Sequence, residues 1–146
     1  MRYWLQSNSK LYAHIHKLVI REIDRHYINK AKLLGIKDPK PGSVSVTQRF
    51  GSALNLNIHV HILYLDGVYM MLRDGTARFR NLESISDEEV ATLTGHIANA
   101  VMRYLKHKGY VDKDGEIVWH PEADPLFTGH DSLSQATQAS ITGRIA

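Results

Sequence analysis

Cysteine is absent from the 146 residues, which excludes disulfide bonds and thiolate-held zinc or iron–sulfur centres. The sequence also lacks an apolar run long enough to span a bilayer. Its opening residues, Met1-Arg2-Tyr3-Trp4-Leu5-Gln6-Ser7, do not follow the charged-then-apolar order of a secretion signal. The expected location is the cytoplasm, with no membrane partner. Acidic residues are scarce in the first three quarters: residues 1–110 hold 16 Lys/Arg against 9 Asp/Glu, a net +7, whereas residues 111–146 hold 2 against 6, a net −4. This asymmetry is compatible with nucleic acid on the first part and does not demand it. The length suits one domain able to bury its own core.

Apolar residues at three- and four-residue steps (Leu11, Ile15, Leu18, Val19, Ile23, Tyr27, Ala31 and Leu34) predict a helix over 10–34, with Ser9 as N-cap and Gly35 as its stop. Lys17, Arg21, Arg25 and Lys32 fall on the other side. Lys37-Asp38-Pro39-Lys40-Pro41-Gly42 is a turn. A strand is expected at 43–50, where Val44, Val46 and Phe50 share a face with one amide, Gln48. A buried amide needs partners, so Gln48 is either bonded to backbone or turned towards a site. Further strands at 57–65, 68–72 and 77–82 are separated by Asp66-Gly67 and Asp74-Gly75, both read as tight hairpins. Ser86-Asp87-Glu88-Glu89 is a capping box for a second helix to about residue 108, which Gly109 ends. Tyr104 falls on the stripe of that helix expected to cover the sheet. A turn at 112–115, a short strand at 116–119 and a polar, turn-rich tail over 120–146 complete the chain. The order predicts an α+β fold, an antiparallel sheet of four to five strands with helices packed on one face, as a single domain over 1–146.

Within the sheet, Asn57-Ile58-His59-Val60-His61-Ile62 carries the chemistry. Period-two geometry sets His59 and His61 on one face and Ile58, Val60, Ile62 and Tyr64 on the other. Two neighbouring imidazoles on a strand can share a divalent cation through neutral ring nitrogens, or they can simply be buried or surface histidines. Gln48 is the first candidate for a third donor; Asp66 reads more as a turn residue. Tyr104 is the tyrosine whose expected position suits attack on a phosphodiester, its alternative being a core tyrosine. His14 and His16 repeat the spacing on a helix, where residues two apart do not face each other, so they make a poor metal pair.

Gln48-Arg49-Phe50-Gly51-Ser52-Ala53-Leu54-Asn55-Leu56-Asn57-Ile58-His59-Val60-His61, followed by Leu65-Asp66-Gly67-Val68-Tyr69, closely resembles transposases of the IS91/IS801/IS1294 type, members of the HUH endonuclease superfamily. Ser140-Ile141-Thr142-Gly143-Arg144-Ile145-Ala146 also resembles a segment of that family. The resemblance implies an HUH-endonuclease-like sheet with the histidine motif on a central strand, a Mg²⁺ or Mn²⁺ cofactor, and single-stranded DNA as substrate in DNA transposition and recombination. The metal polarises the scissile phosphate, and a tyrosine attacks it to leave a 5′-phosphotyrosine link and a free 3′-hydroxyl. His59 and His61 match the metal-binding pair. It also implies a partial chain, without the family's cysteine-rich N-terminal region or the helix that bears its catalytic tyrosines. The alternatives are a non-catalytic DNA-binding remnant, with Arg49, Arg73, Arg78 and Arg80 on phosphates, and a metal-dependent hydrolase that uses water. A missing last helix would leave an apolar face favouring a homo-oligomer.

Overall fold

The computed structural model describes residues 8–50 and 56–118. Helix α1 spans Ser9–Leu33, strands β1 to β4 span Ser43–Phe50, Leu56–Tyr64, Gly67–Met71 and Ala77–Asn81, and helix α2 spans Asp87–His107. The fold is α+β, with two small antiparallel sheets and two helices packed nearby. Residues 51–55 and 119–146, including the expected turn-rich stretch over 120–146 and the end of the strand expected at 116–119, lie outside the described residues.

Helix α1 is capped by Asn8 rather than Ser9: the Asn8 side-chain oxygen accepts from the Leu11 amide at 2.9 Å, the N3 position that an Asx side chain reaches from the cap. At its other end Gly35 takes φ 77°. This lets the Gly35 amide donate to Lys32 and the Ile36 amide to Ala31, a Schellman closure that satisfies carbonyls the helix leaves open. Gly109, at φ 74°, ends α2 in the same way, with the Tyr110 amide donating to Leu105. The capping box at Ser86 and Glu89 forms with both of its bonds.

The two helices run antiparallel. Leu11, at the start of α1, packs with Leu105 near the end of α2 and with Val111, while Lys30 near the end of α1 reaches Glu89 in the first turn of α2 at 2.9 Å. A second core joins the far half of α1 to the β3–β4 hairpin: Tyr27, Ala31, Ile36, Val68 and Leu82. Helix α1 therefore serves both cores. Helix α2 packs on α1 and, among the described residues, makes no comparable contact with either sheet, which differs from the expected arrangement of both helices over one sheet face.

The four strands do not form one sheet. β1 pairs with β2, and β3 with β4. Asp74-Gly75 is a true hairpin turn, with Gly75 at φ 82° and the Asp74 carboxylate accepting from the Thr76 amide. Asp66-Gly67 is not. Lys40 pairs with Tyr69 through both backbone bonds, and the Leu65 amide donates to Gly42. Residues 40–42 thus run beside 65–69, and the chain bends from β2 into β3 instead of folding back. Gly67 is demanded by crowding: a Cβ there would lie 2.4 Å from the Arg80 carbonyl oxygen and 2.6 Å from the Phe79 ring.

Candidate metal and nucleic-acid site

The β1–β2 register settles which side chains share a face. Gln48 lies opposite His59, Val46 opposite His61 and Val44 opposite Leu63, and directly opposed residues of an antiparallel pair point the same way. The two histidines, Gln48, Val44, Val46 and Leu63 therefore occupy one face. The sequence reading makes the β1 half of it apolar and buried. It is exposed instead, with Val44 at 67%, Val46 at 61% and Leu63 at 75% of full accessibility. The other face turns to α1: the single proton of the Tyr64 hydroxyl is shared between the Ile20 carbonyl and Asp24, at 3.2 and 3.1 Å, its ring stacks on Tyr27, and Thr47 bonds Tyr12. Burial is the main reason the Tyr64 phenol is pushed up to about 12, with Asp24 adding to it.

The imidazoles of His59 and His61 stand side by side, ring centroids 4.9 Å apart and planes inclined by 70°. His59 Nδ1 sits 2.8 Å from the Asn57 carbonyl oxygen. A carbonyl only accepts, so this bond places the proton on Nδ1 and leaves Nε2 with its lone pair outward, the tautomer that a metal-ligating histidine uses. Gln48 Nε2 donates to the Phe50 carbonyl at 3.0 Å, which leaves Oε1 as its donor atom for a cation. Of the two sequence options for Gln48 the backbone bond is the one that forms, and the amide is exposed rather than buried. Among the described residues no group of three or more His, Cys, Asp or Glu is arranged to hold a metal ion; the histidine pair has an amide beside it rather than a carboxylate.

His16 did not stand out from its spacing. A cavity of about 220 Å³ between α1 and β2 is lined by Tyr12, His16 and Val19 and, from the strand, by Ile58, Val60 and Ile62 among others, and His16 Nε2 is buried with no hydrogen-bond partner among the described residues. His14 points elsewhere, stacked on Tyr104 at 3.9 Å between ring centroids. The two helix histidines therefore diverge, as their spacing requires.

Tyr104 does not stand over the sheet. It lies in the α1–α2 interface beside Leu11, Leu105 and Val111. Burial pushes its phenol up, and Tyr110 adds to the shift, whereas an attacking phenolate is favoured by neighbouring cations. The four candidate arginines are also dispersed. Arg49 is on β1, Arg73 precedes the β3–β4 turn, and Arg78 and Arg80 are two apart on β4.

The chain matches the family model described as "Putative transposase" over residues 42–137. The match covers about two thirds of the sequence, and the chain belongs to this transposase family. No curated protein matches it, and no solved structure does. Among the described residues no helix is long and apolar enough to cross a membrane.

Proposed function

We propose that this chain is a transposase of the HUH type that binds single-stranded DNA and uses Mg²⁺ or Mn²⁺ at the exposed face of β2, with His59, His61 and Gln48 as its own donors. The observation that carries the reading is the fixed tautomer of His59, whose Nδ1–H is held by Asn57 while His61 stands alongside and Gln48 lies directly opposite. A divalent ion bound there supplies Lewis-acid polarisation of a phosphate oxygen. The protein's part is to hold two imidazoles in place on a strand and to keep the Gln48 amide turned by its bond to Phe50. The face is open to solvent, so a DNA backbone can reach it without rearrangement of the helices.

Tyr104 is not the attacking group in this reading. Its position between the helices favours a chain whose described residues bind cation and strand without a tyrosine nucleophile at that place. Titration with Mn²⁺ followed by calorimetry tests the site: His59→Ala/His61→Ala is expected to lose binding with its circular dichroism unchanged. Wild-type protein that takes up no Mn²⁺ sinks the proposal. Incubation with Mn²⁺ and labelled single strands, read on a denaturing gel and by mass spectrometry, tests the nucleophile. A covalent adduct mapped to Tyr104 would contradict the assignment made here.

A further inference from the structure

Where α1 ends against the second hairpin there is an open cleft of about 630 Å³, within the range of ~300–1,000 Å³ typical of small-molecule sites. Its apolar wall is Leu34, Ile36, Met70 and Leu72, and the rest of the lining includes Arg78 and Arg80 and no acidic residue. In the β3–β4 register Arg78 lies opposite Met70 and Arg80 opposite Val68, so both guanidinium groups project from the same face. By strand geometry their stems are about 6.8 Å apart. Among the described residues neither arginine has an ion-pair partner. Phe79, between them in sequence, projects from the other face of β4, where it meets Tyr69 edge to face at 5.2 Å between centroids. Two arginines with no ion-pair partner among the described residues, beside an apolar wall, match a ligand that joins anionic groups to flat, apolar faces.

We infer that this cleft is a second nucleic-acid subsite, in which Arg78 and Arg80 hold consecutive phosphates of a single strand and the apolar wall takes an unstacked base. The inference rests on the reading of the chain as one that handles single-stranded DNA, and it shares no residue with the histidine face. Guanidinium groups suit phosphate oxygens because they present paired donors in one plane, and base faces settle on apolar or aromatic surface whatever their sequence. Duplex DNA offers the phosphates but keeps its bases stacked inside, so it fills only half of such a site.

The test is fluorescence anisotropy of the full chain with a labelled single-stranded oligonucleotide over a range of salt concentrations. Arg78→Ala/Arg80→Ala is expected to weaken binding roughly tenfold and to reduce the slope of log K against log salt by about 1.4, the share of two single-strand phosphate contacts. Arg103→Ala/Lys108→Ala, an equal loss of charge on exposed positions at the far end of α2, is expected to change binding much less. Unlabelled single strand is expected to compete better than duplex of the same sequence. If both double variants weaken binding equally, or duplex competes as well as single strand, the subsite is overturned while DNA binding stands. A wild-type chain that binds no single strand overturns the function proposed above and the subsite with it.

Discussion

The two hairpins of this molecule are built to the same plan and used in opposite ways. The β3–β4 hairpin has five-residue strands yet is clamped to α1, with Val68 fully buried and Leu82 at 5%. The β1–β2 hairpin has strands of eight and nine residues, and every residue of β1 is exposed. Hydrophobic burial stabilises the short hairpin, and the long one carries the histidine pair on a bare face. Apolar surface left open on a strand pair is costly in solubility and in edge protection, and here it lies on the same face as His59 and His61. The short hairpin offers a different surface, arginine-rich beside an apolar cleft, on the side where it meets the helix.

One substitution made on both hairpins would break or sharpen this contrast most. Leu82→Ala is expected to cost about 2–5 kcal/mol, since it empties a buried site in the α1 core. Leu63→Ala, at 75% exposure, is expected to stay within about 0.5 kcal/mol. Urea titrations of the two variants read the difference, and equal costs would mean that the long hairpin is buried as deeply as the short one. Gly67→Ala comes next. The added methyl meets the Arg80 carbonyl and the Phe79 ring, and overpacking of this kind costs about 1–3 kcal/mol. If Asp66-Gly67 were a free hairpin turn, the same change would leave the Phe79 environment untouched by NMR.

The smallest effect concerns the anchor of the long hairpin. The Tyr64 phenol titrates at about 12 in the fold against about 10 in an unfolded chain. A folded value raised in this way means that the protonated form is the one the fold retains. Its contribution is fully present below pH 10 and is lost as the pH rises from 10 towards 12. Tyr64→Phe is therefore expected to flatten the fall in stability over that window, checked by thermal melts between pH 9 and pH 12. An unchanged slope would assign the alkaline loss to other groups.

Much of this was legible in the residues, and the parts that were not share a cause. Helix stripes are local, so both helices and the Ser86–Glu89 box could be read directly, although α1 is capped by Asn8 and not by Ser9. Period-two alternation put His59 and His61 on one face for the same reason. A stripe says which side of a helix is buried and is silent about what buries it. Tyr104 was thus expected over the sheet and lies against α1, because the contacts that decide it, Leu11 with Leu105 and Lys30 with Glu89, join residues far apart in sequence. Asp66-Gly67 misled for a related reason. The glycine is required by the approach of β4, which no local pattern announces. His16 was discounted because its spacing from His14 rules out a pair on one helix, whereas its neighbour in space is on β2.

Helix α1 has a further consequence. Its 25 residues give an axis about 37 Å long, with one core seated on each half and the Tyr64 tether between them at Ile20 and Asp24. Neither core can melt by itself without fraying the helix on which the other depends. Two small clusters, each weak alone, are thereby coupled into one cooperative transition. The outer face of the long hairpin, which contributes to neither cluster, belongs among the parts that open first, and amide hydrogen exchange in β1 is expected to run ahead of exchange in α1.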